Sequence, residues 1–246
     1  MPQFLIDKLM ASYDSKTTEK ILASFLTDMP VSIRKKESLS LTQWENVISK
    51  LESEGIQVEA HPYLSYAYTL KKAEGLGNIE SFQKGDFTVQ DVSSMLVAEC
   101  AGIRENQKVL DLCAAPGGKS MHIAEKLKGT GKLYSFDVSE KKTAYILENK
   151  ERMGYDNIEV EVNDATVYRE DLAEAFDVVI ADVPCSGIGV IGKKCDIKYR
   201  IDETEIKSIV ELQKKIMENA WKYVKKGGTL LYSTCTISRE ENEDMV

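Results

Sequence analysis

The sequence predicts an α/β protein, a parallel sheet wrapped by helices and preceded by a smaller α+β region. Three observations predict it. From Ser93 onward, short apolar runs alternate with helix-length amphipathic stretches, as in a sheet buried on both faces. Before residue 85 that alternation is missing, and helical stretches mix with short strand-like runs. Glycines such as Gly129 and Gly154 close the helical stretches, where left-handed backbone is wanted. The expected division is 1–84 and 85–246.

In chain order, two helices are expected near 3–12 and 16–28, then a strand at VSIRK. Thr42-x-x-Glu45 reads as a capping box opening a helix to about Glu54, and Gly55 stops it. IQVEA and AYTLKK read as short strands. SSMLVAECAGI is helical, KVLDL is the first strand of the parallel sheet, CAAPGG a loop, and KSMHIAEKLKG a helix ending at Gly129. KLYSFDV is the second strand, followed by a helix from Ser139 to about Met153. IEVEV is the third strand and FDVVIADV the fourth. A helix from about Asp202 to Val224, ended by Gly227-Gly228, leads into the fifth strand, TLLYSTCT.

Composition narrows the function classes. No apolar run approaches the ~20 residues that span a bilayer, and MPQFLIDKLMASYD lacks the basic-then-apolar order of a signal peptide. A cytoplasmic monomer without membrane contact is expected. Cys100, Cys113, Cys185, Cys195 and Cys235 show no C-x-x-C pair, and there are two histidines, so no metal site is expected. The net charge of −8 weighs against nonspecific nucleic-acid binding, yet Lys193-Lys194, Lys198 and Arg200 form a local basic cluster.

In a parallel sheet, ligands gather at the carboxyl ends of the strands. The loop after the first strand is Cys113-Ala114-Ala115-Pro116-Gly117-Gly118-Lys119. Its glycines allow close backbone approach, and the helix behind it offers free amides. Asp137, twenty residues after Gly117, stands where a carboxylate accepts from ribose hydroxyls. Asp164, after the third strand, is placed to meet an adenine amino group, and Asp111 to orient the loop or meet a cofactor amino group. The loop lacks G-x-G-x-x-G, so a nucleoside sulfonium such as S-adenosylmethionine suits it better than a dinucleotide. The spacing does occur at Gly187-x-Gly189-x-x-Gly192, but after the fourth strand and without a helix behind it, which is the wrong context. Those glycines read instead as a flexible rim.

Two cysteines end neighbouring strands, Cys185 in VPCSG and Cys235 in YSTCT, with Asp182 nearby. Thiols and an acid beside a methyl donor suit methylation of cytosine carbon 5, which a thiolate activates by adding to carbon 6. Ser238-x-x-Glu241 reads as a capping box whose helix would lower the thiol pKa of Cys235.

FQKGDFTVQDVSS, VLDLCAAPGGKS, FDVVIADVPCSGIGV, CDIKYR and LLYSTCTISREENE together resemble the Sun/Fmu-type RNA cytosine-5 methyltransferases, especially the bacterial ribosomal RNA enzymes. The resemblance implies a Rossmann-like class I S-adenosylmethionine-dependent methyltransferase sheet and an RNA substrate, ribosomal RNA first, with transfer RNA as the alternative. It implies that Cys113 to Lys119, Asp137, Asp164 and Asp182 bind or border the cofactor. Cys235 would be the nucleophile and Cys185 would assist breakdown of the adduct. Asp182 would also face the base. Residues 1–84 would resemble an RNA-recognition subdomain. Val183, Cys195 and Arg34-Lys35-Lys36 depart from the family's usual alanine, proline and Arg-Val-Asn. A full sheet of this type has two further strands, so a C-terminally incomplete sheet is expected, its fifth strand an exposed edge. Competing readings are a DNA substrate, a methyltransferase fold that binds without turnover, and a nicotinamide dehydrogenase resting on the misplaced glycine spacing alone.

Overall fold

The computed structural model describes residues 1–27 and 29–246. The chain opens with α1 (Gln3–Ser12) and α2 (Ser15–Ser24). The expected second helix reached residue 28, which lies outside the described residues. Next come β1 (Val31–Lys35), α3 (Leu41–Ser53), β2 (Gln57–Ala60), β3 (Ala67–Lys71), α4 (Glu80–Gln83) and β4 (Phe87–Val89). The four strands form one antiparallel sheet in the order β2-β3-β1-β4. Its core joins Ile33, Leu70 and Phe87 to the buried face of α3, Trp44, Val47 and Leu51.

Three expectations for this region change. The capping box of α3 is Ser40 with Gln43, not Thr42 with Glu45. The Gln43 N–H donates to Ser40 Oγ at 3.2 Å, and the Ser40 N–H to Gln43 Oε1 at 2.9 Å. Both frames fit the sequence pattern; the earlier one starts the helix sooner. Strand β4 is too short to show alternation in the sequence. It carries the first sheet past residue 84, so the expected boundary falls inside one hydrogen-bonded unit. Helix α1 packs with the second unit instead, where Leu5 shares a cluster with Ile188, Ile191 and Ile197.

The second unit contains α5 (Val92–Cys100), β5 (Lys108–Asp111), α6 (Gly118–Lys126), β6 (Lys132–Asp137), α7 (Glu140–Met153), β7 (Ile158–Val162), β8 (Phe176–Asp182), α8 (Ile197–Arg200), α9 (Glu203–Ala220) and β9 (Val224–Ser233). All strand pairs are parallel and the order is β7-β6-β5-β8-β9. Alternate residues serve opposite faces, as the period of two requires. Val109, Val178 and Ile180 pack with Met121, Ile123 and Ile146 on one face. Leu110, Val179 and Ala181 pack with Ile216, Ala220 and Tyr223 on the other. Each of the fully buried Val, Leu, Ile and Met side chains is worth roughly 1.5–3 kcal/mol of burial.

The end of α9 differs from expectation. The helix stops at Ala220, and a 3-10 turn over Trp221–Tyr223 leads into β9. Gly227-Gly228 therefore lies inside a strand, in the stretch where pairing with β8 shifts register. Strand β9 ends at Ser233, so Cys235 lies beyond it. The strand order changes direction at β5, between β6 and β8, which places the ligand crevice at the carboxyl end of β5.

Candidate active site

A cavity of about 190 Å³ opens at that point. It is lined by Val89, Gln90, Asp91, Ser94, Asp111, Cys113, Ala114, Ala115, Pro116, Gly118, Lys119 and Asp182. Most of the expected cofactor loop is therefore here. So are Gln90 and Asp91 from the segment joining β4 to α5, and Ser94 in the first turn of α5, none of them singled out as site residues from the sequence. FQKGDFTVQDVSS held them, but only as part of a resemblance.

Asp111 is fully buried at the end of β5. Its Oδ2 accepts from Ser120 Oγ at 2.8 Å, while Oδ1 has no partner. Burial pushes its carboxyl up to about 7. Burial likewise pushes the Cys113 thiol well up, with Asp111, Asp137 and Asp182 adding to the effect. Cys113 is therefore a neutral lining group and no nucleophile.

The two remaining acids do not line the cavity. Asp137, at the end of β6, is buried and holds the loop after β5: Oδ2 accepts from the Ala115 N–H at 2.9 Å and Oδ1 pairs with Lys142 at 3.1 Å. Asp164 is exposed, and the Thr166 hydroxyl and N–H hold its carboxyl low. Gly117 also has a different task from the one expected. Its φ is +104°, and an added Cβ would lie 3.3 Å from Ile146 Cα, so this glycine lets the loop pack on α7. Gly118 is the glycine on the cavity side, with open space where a Cβ would go.

Asp182 joins the cavity to the thiols. Its Oδ2 pairs with Lys119 Nζ at 2.7 Å and its Oδ1 accepts from Ser233 Oγ at 2.7 Å. Cys185 Sγ lies 3.1 Å from Cys235 Sγ. The Cys185 hydrogen bond pulls the Cys235 thiol down to about 7, helped by Lys194 and Lys119 and opposed by burial and Asp182. The same hydrogen bond, then burial, pushes Cys185 up, while the N–H groups of Cys235 and Gly187 oppose that rise. The pair is arranged to hold one proton between two sulfurs.

The expected helix behind Cys235 is absent. Ser238 caps nothing, and only a 3-10 turn over Arg239–Glu241 follows. Glu241 is fully buried and reaches back to the other loop. It accepts from the Ser186 N–H at 2.8 Å and from Gln213 Nε2 at 3.1 Å, and its Oε1 accepts from Ser186 Oγ. The thiol is thus lowered by its neighbour and by lysines, not by a helix end.

The glycine-rich spacing is resolved as well. Gly187 opens a 3-10 turn over Ile188–Val190, and the turn is close-packed. A Cβ on Gly189 would lie 2.9 Å from the Cys235 carbonyl oxygen, and one on Gly192 would lie 3.4 Å from Phe25 Cα. The flexible rim expected here is a tight backbone contact that seats Cys235. Among the described residues, no cluster of three metal-ligating side chains occurs, and no helix is long and apolar enough to cross a membrane.

Residues 100–246 match the family model described as 16S rRNA methyltransferase RsmB/F. The chain belongs to this family. A curated relative, "Probable ribosomal RNA small subunit methyltransferase B" of Bacillus subtilis (strain 168), is 37% identical over 250 residues, covering 100% of this chain and 54% of the relative. The RsmB/F chain described here thus spans about half the length of the curated relatives it matches. A solved structure, PH0851, superposes with a TM-score of 0.93 at 32% identity over 99% of this chain and 55% of that one. A methyltransferase homolog protein from Pyrococcus horikoshii gives 0.77 at 25% identity, over 100% and 81% of the two chains. The fold is the class I methyltransferase fold with the preceding α+β sheet.

Proposed function

We propose that this chain methylates carbon 5 of a cytosine in RNA, ribosomal RNA first, through a covalent bond between Cys235 and the base. The observation that carries the reading is the Cys185–Cys235 pair beside Asp182, whose other oxygen reaches Lys119 in the cavity. The cofactor proposed is S-adenosylmethionine. The cavity suits it: Asp111 offers an unpartnered acceptor, Gly118 leaves room, and the lining mixes apolar loop atoms with polar and charged side chains. Asp137, the acid proposed for ribose, reaches the cavity loop through the Ala115 N–H, and Asp164, the acid proposed for adenine, lies past the end of β7, on the far side of β6. When bound, the cofactor supplies an electrophilic methyl carbon.

The residues of this chain do the rest. The Cys235 thiolate adds to carbon 6 of the base, and the double-bond electrons move toward carbon 5 and the ring nitrogen. Asp182, held by Lys119 and Ser233, faces that ring and orients it by accepting from the base's amino group, and the Lys119 ammonium beside it offsets the negative charge as it develops. Once Cys235 is bonded to carbon, the negative charge that raised Cys185 is gone. With carbon 5 methylated, Cys185 releases its proton to solvent, and the N–H groups of Cys235 and Gly187 favour the thiolate that remains. That thiolate takes the carbon 5 proton, the carbon 6–sulfur bond breaks, and Cys235 leaves as thiolate.

The test is transfer of labelled methyl from S-adenosylmethionine to ribosomal RNA, transfer RNA and DNA, with the product nucleoside identified. Cys235→Ala is expected to abolish covalent RNA adducts, and Cys185→Ala to let them accumulate. Adducts in Cys235→Ala and none in Cys185→Ala would reverse the two roles. Cofactor binding without transfer to any nucleic acid would sink the catalytic reading.

A further inference from the structure

Arg34 lies in β1, in the first sheet, and is 1% exposed. Nothing in the proposed chemistry uses it. Its Nε donates to Gln90 Oε1 at 2.9 Å, and its Nη1 meets the carboxylate of Glu125, itself buried. Glu125 belongs to α6, the helix that leaves the cofactor loop, and also accepts from the Glu37 N–H. Gln90 is 6% exposed and lines the cavity with Asp111.

The chemistry of arginine settles which way the Gln90 amide is turned. Guanidinium donates and never accepts, so the amide oxygen must face Arg34. The amide nitrogen is then committed to the other side. That Nε2 is buried and has no partner. Asp111 Oδ1, in the same lining, is also buried without a partner. One cavity therefore holds an unsatisfied donor and an unsatisfied acceptor, both of which cost free energy until met. A zwitterion meets both: a carboxylate for the donor and an ammonium for the acceptor.

We propose that Gln90 and Asp111 bind the amino-acid end of the cofactor, and that Arg34 is a positioning residue that aims the Gln90 amide at it from the first sheet. This rests on the S-adenosylmethionine reading above. Its consequence is that cofactor affinity depends on the first sheet, where Arg34 and Gln90 both stand and which the Arg34–Glu125 pair ties to α6. The buried ion pair with Glu125 anchors the guanidinium, so the amide is oriented before any ligand arrives.

The experiment compares two ligands by calorimetry: S-adenosylhomocysteine, which has the amino-acid end, and methylthioadenosine, which lacks it. Wild type is expected to bind the first more tightly. Gln90→Met, similar in size and without the amide, is expected to weaken S-adenosylhomocysteine by roughly ten-fold or more, since a hydrogen bond to a charged group is lost. It is expected to leave methylthioadenosine unchanged. Arg34→Lys keeps a positive charge for Glu125 but lacks the Nε donor, and is expected to show the same selective loss, smaller in size. Thermal unfolding run beside the titrations reports any general damage, which weakens both ligands alike. Equal losses for both ligands, or none, would overturn the role of Gln90 and Arg34 while leaving the cofactor reading intact. Failure of the wild type to bind either ligand would remove that reading and this inference together.

Discussion

Cys185 Sγ lies 3.1 Å from Cys235 Sγ, and the Cys235 N–H points at Cys185 Sγ at 3.2 Å. Two thiols so close, one at the end of β8 and one past β9, cannot both ionise at ordinary cost. One becomes the thiolate and the other its hydrogen-bond donor. The low value of Cys235 is thus a property of the pair.

The first prediction concerns that pair. With its pKa near 7, Cys235 is about half thiolate at neutral pH, whereas an ordinary thiol is a few per cent ionised. Its alkylation by iodoacetamide, followed by peptide mass spectrometry, is expected to titrate with a midpoint near pH 7. Cys185→Ala removes the largest lowering cause, so the midpoint moves up and the rate at pH 7 falls roughly ten-fold. If Cys185 is the residue labelled first in the wild type, the thiolate sits on the wrong sulfur.

Asp111 gives a pH dependence of opposite character to that of most carboxylates. Burial raises it to about 7, so the folded protein keeps a proton that the unfolded chain releases above about pH 4. Between those values each rise in pH therefore costs stability. Asp111→Asn removes the titrating group. The unfolding temperature of this variant minus that of the wild type is expected to become more positive from pH 5 to pH 8. A flat difference would mean the carboxyl is not held protonated.

Gly189 tests how tightly Cys235 is seated. A Cβ there would stand 2.9 Å from the Cys235 carbonyl oxygen, so Gly189→Ala must displace the Cys235 backbone. Displacement of about an ångström costs roughly ten- to a hundred-fold in a positioned reaction. RNA adduct formation is expected to fall by that factor. Binding of S-adenosylhomocysteine is expected to hold, because Gly189 is not in the cofactor cavity. Unchanged adduct yield would show that the turn can give way freely.

Glu241 holds the two cysteine loops together through Ser186 and Gln213. Glu241→Ala leaves the buried Ser186 N–H without its acceptor, which is expected to cost roughly 2–4 kcal/mol in denaturant unfolding. The same variant is expected to make Cys185 easier to alkylate. A loss under about 0.5 kcal/mol would show that water replaces the carboxylate at no cost.

Legibility divided along physical lines. The central strands of the parallel sheet were readable because both faces are buried; the edge strand IEVEV, and VSIRK in the first sheet, match their observed bounds residue for residue. The helix closed by Gly154 was readable because a left-handed cap demands a residue such as glycine. Strand β4 was hidden because three residues show no period. The Ser238 capping box was misread because Glu241 had a better partner, the buried Ser186, 55 residues away in sequence. A local pattern cannot register that competitor. The same holds for Gly227-Gly228, where a helix stop and a strand irregularity look alike in letters.

The sequence by itself determined the α/β class, the family, the loop that lines the cavity after β5 and the two cysteines that meet, because these follow from hydrophobic period, turn chemistry and short motifs. Only the tertiary structure decided what the side chains do to one another. Sequence places Cys185 and Cys235 fifty residues apart; folding brings their sulfurs to 3.1 Å and so splits one proton between them. It turned Gly189 from a nucleotide-like spacing into a contact with Cys235. It also ran Arg34, from the first sheet, into the cofactor wall through Gln90. Each is a long-range contact made in a low-dielectric interior, where partners rather than neighbours in sequence set charge and orientation.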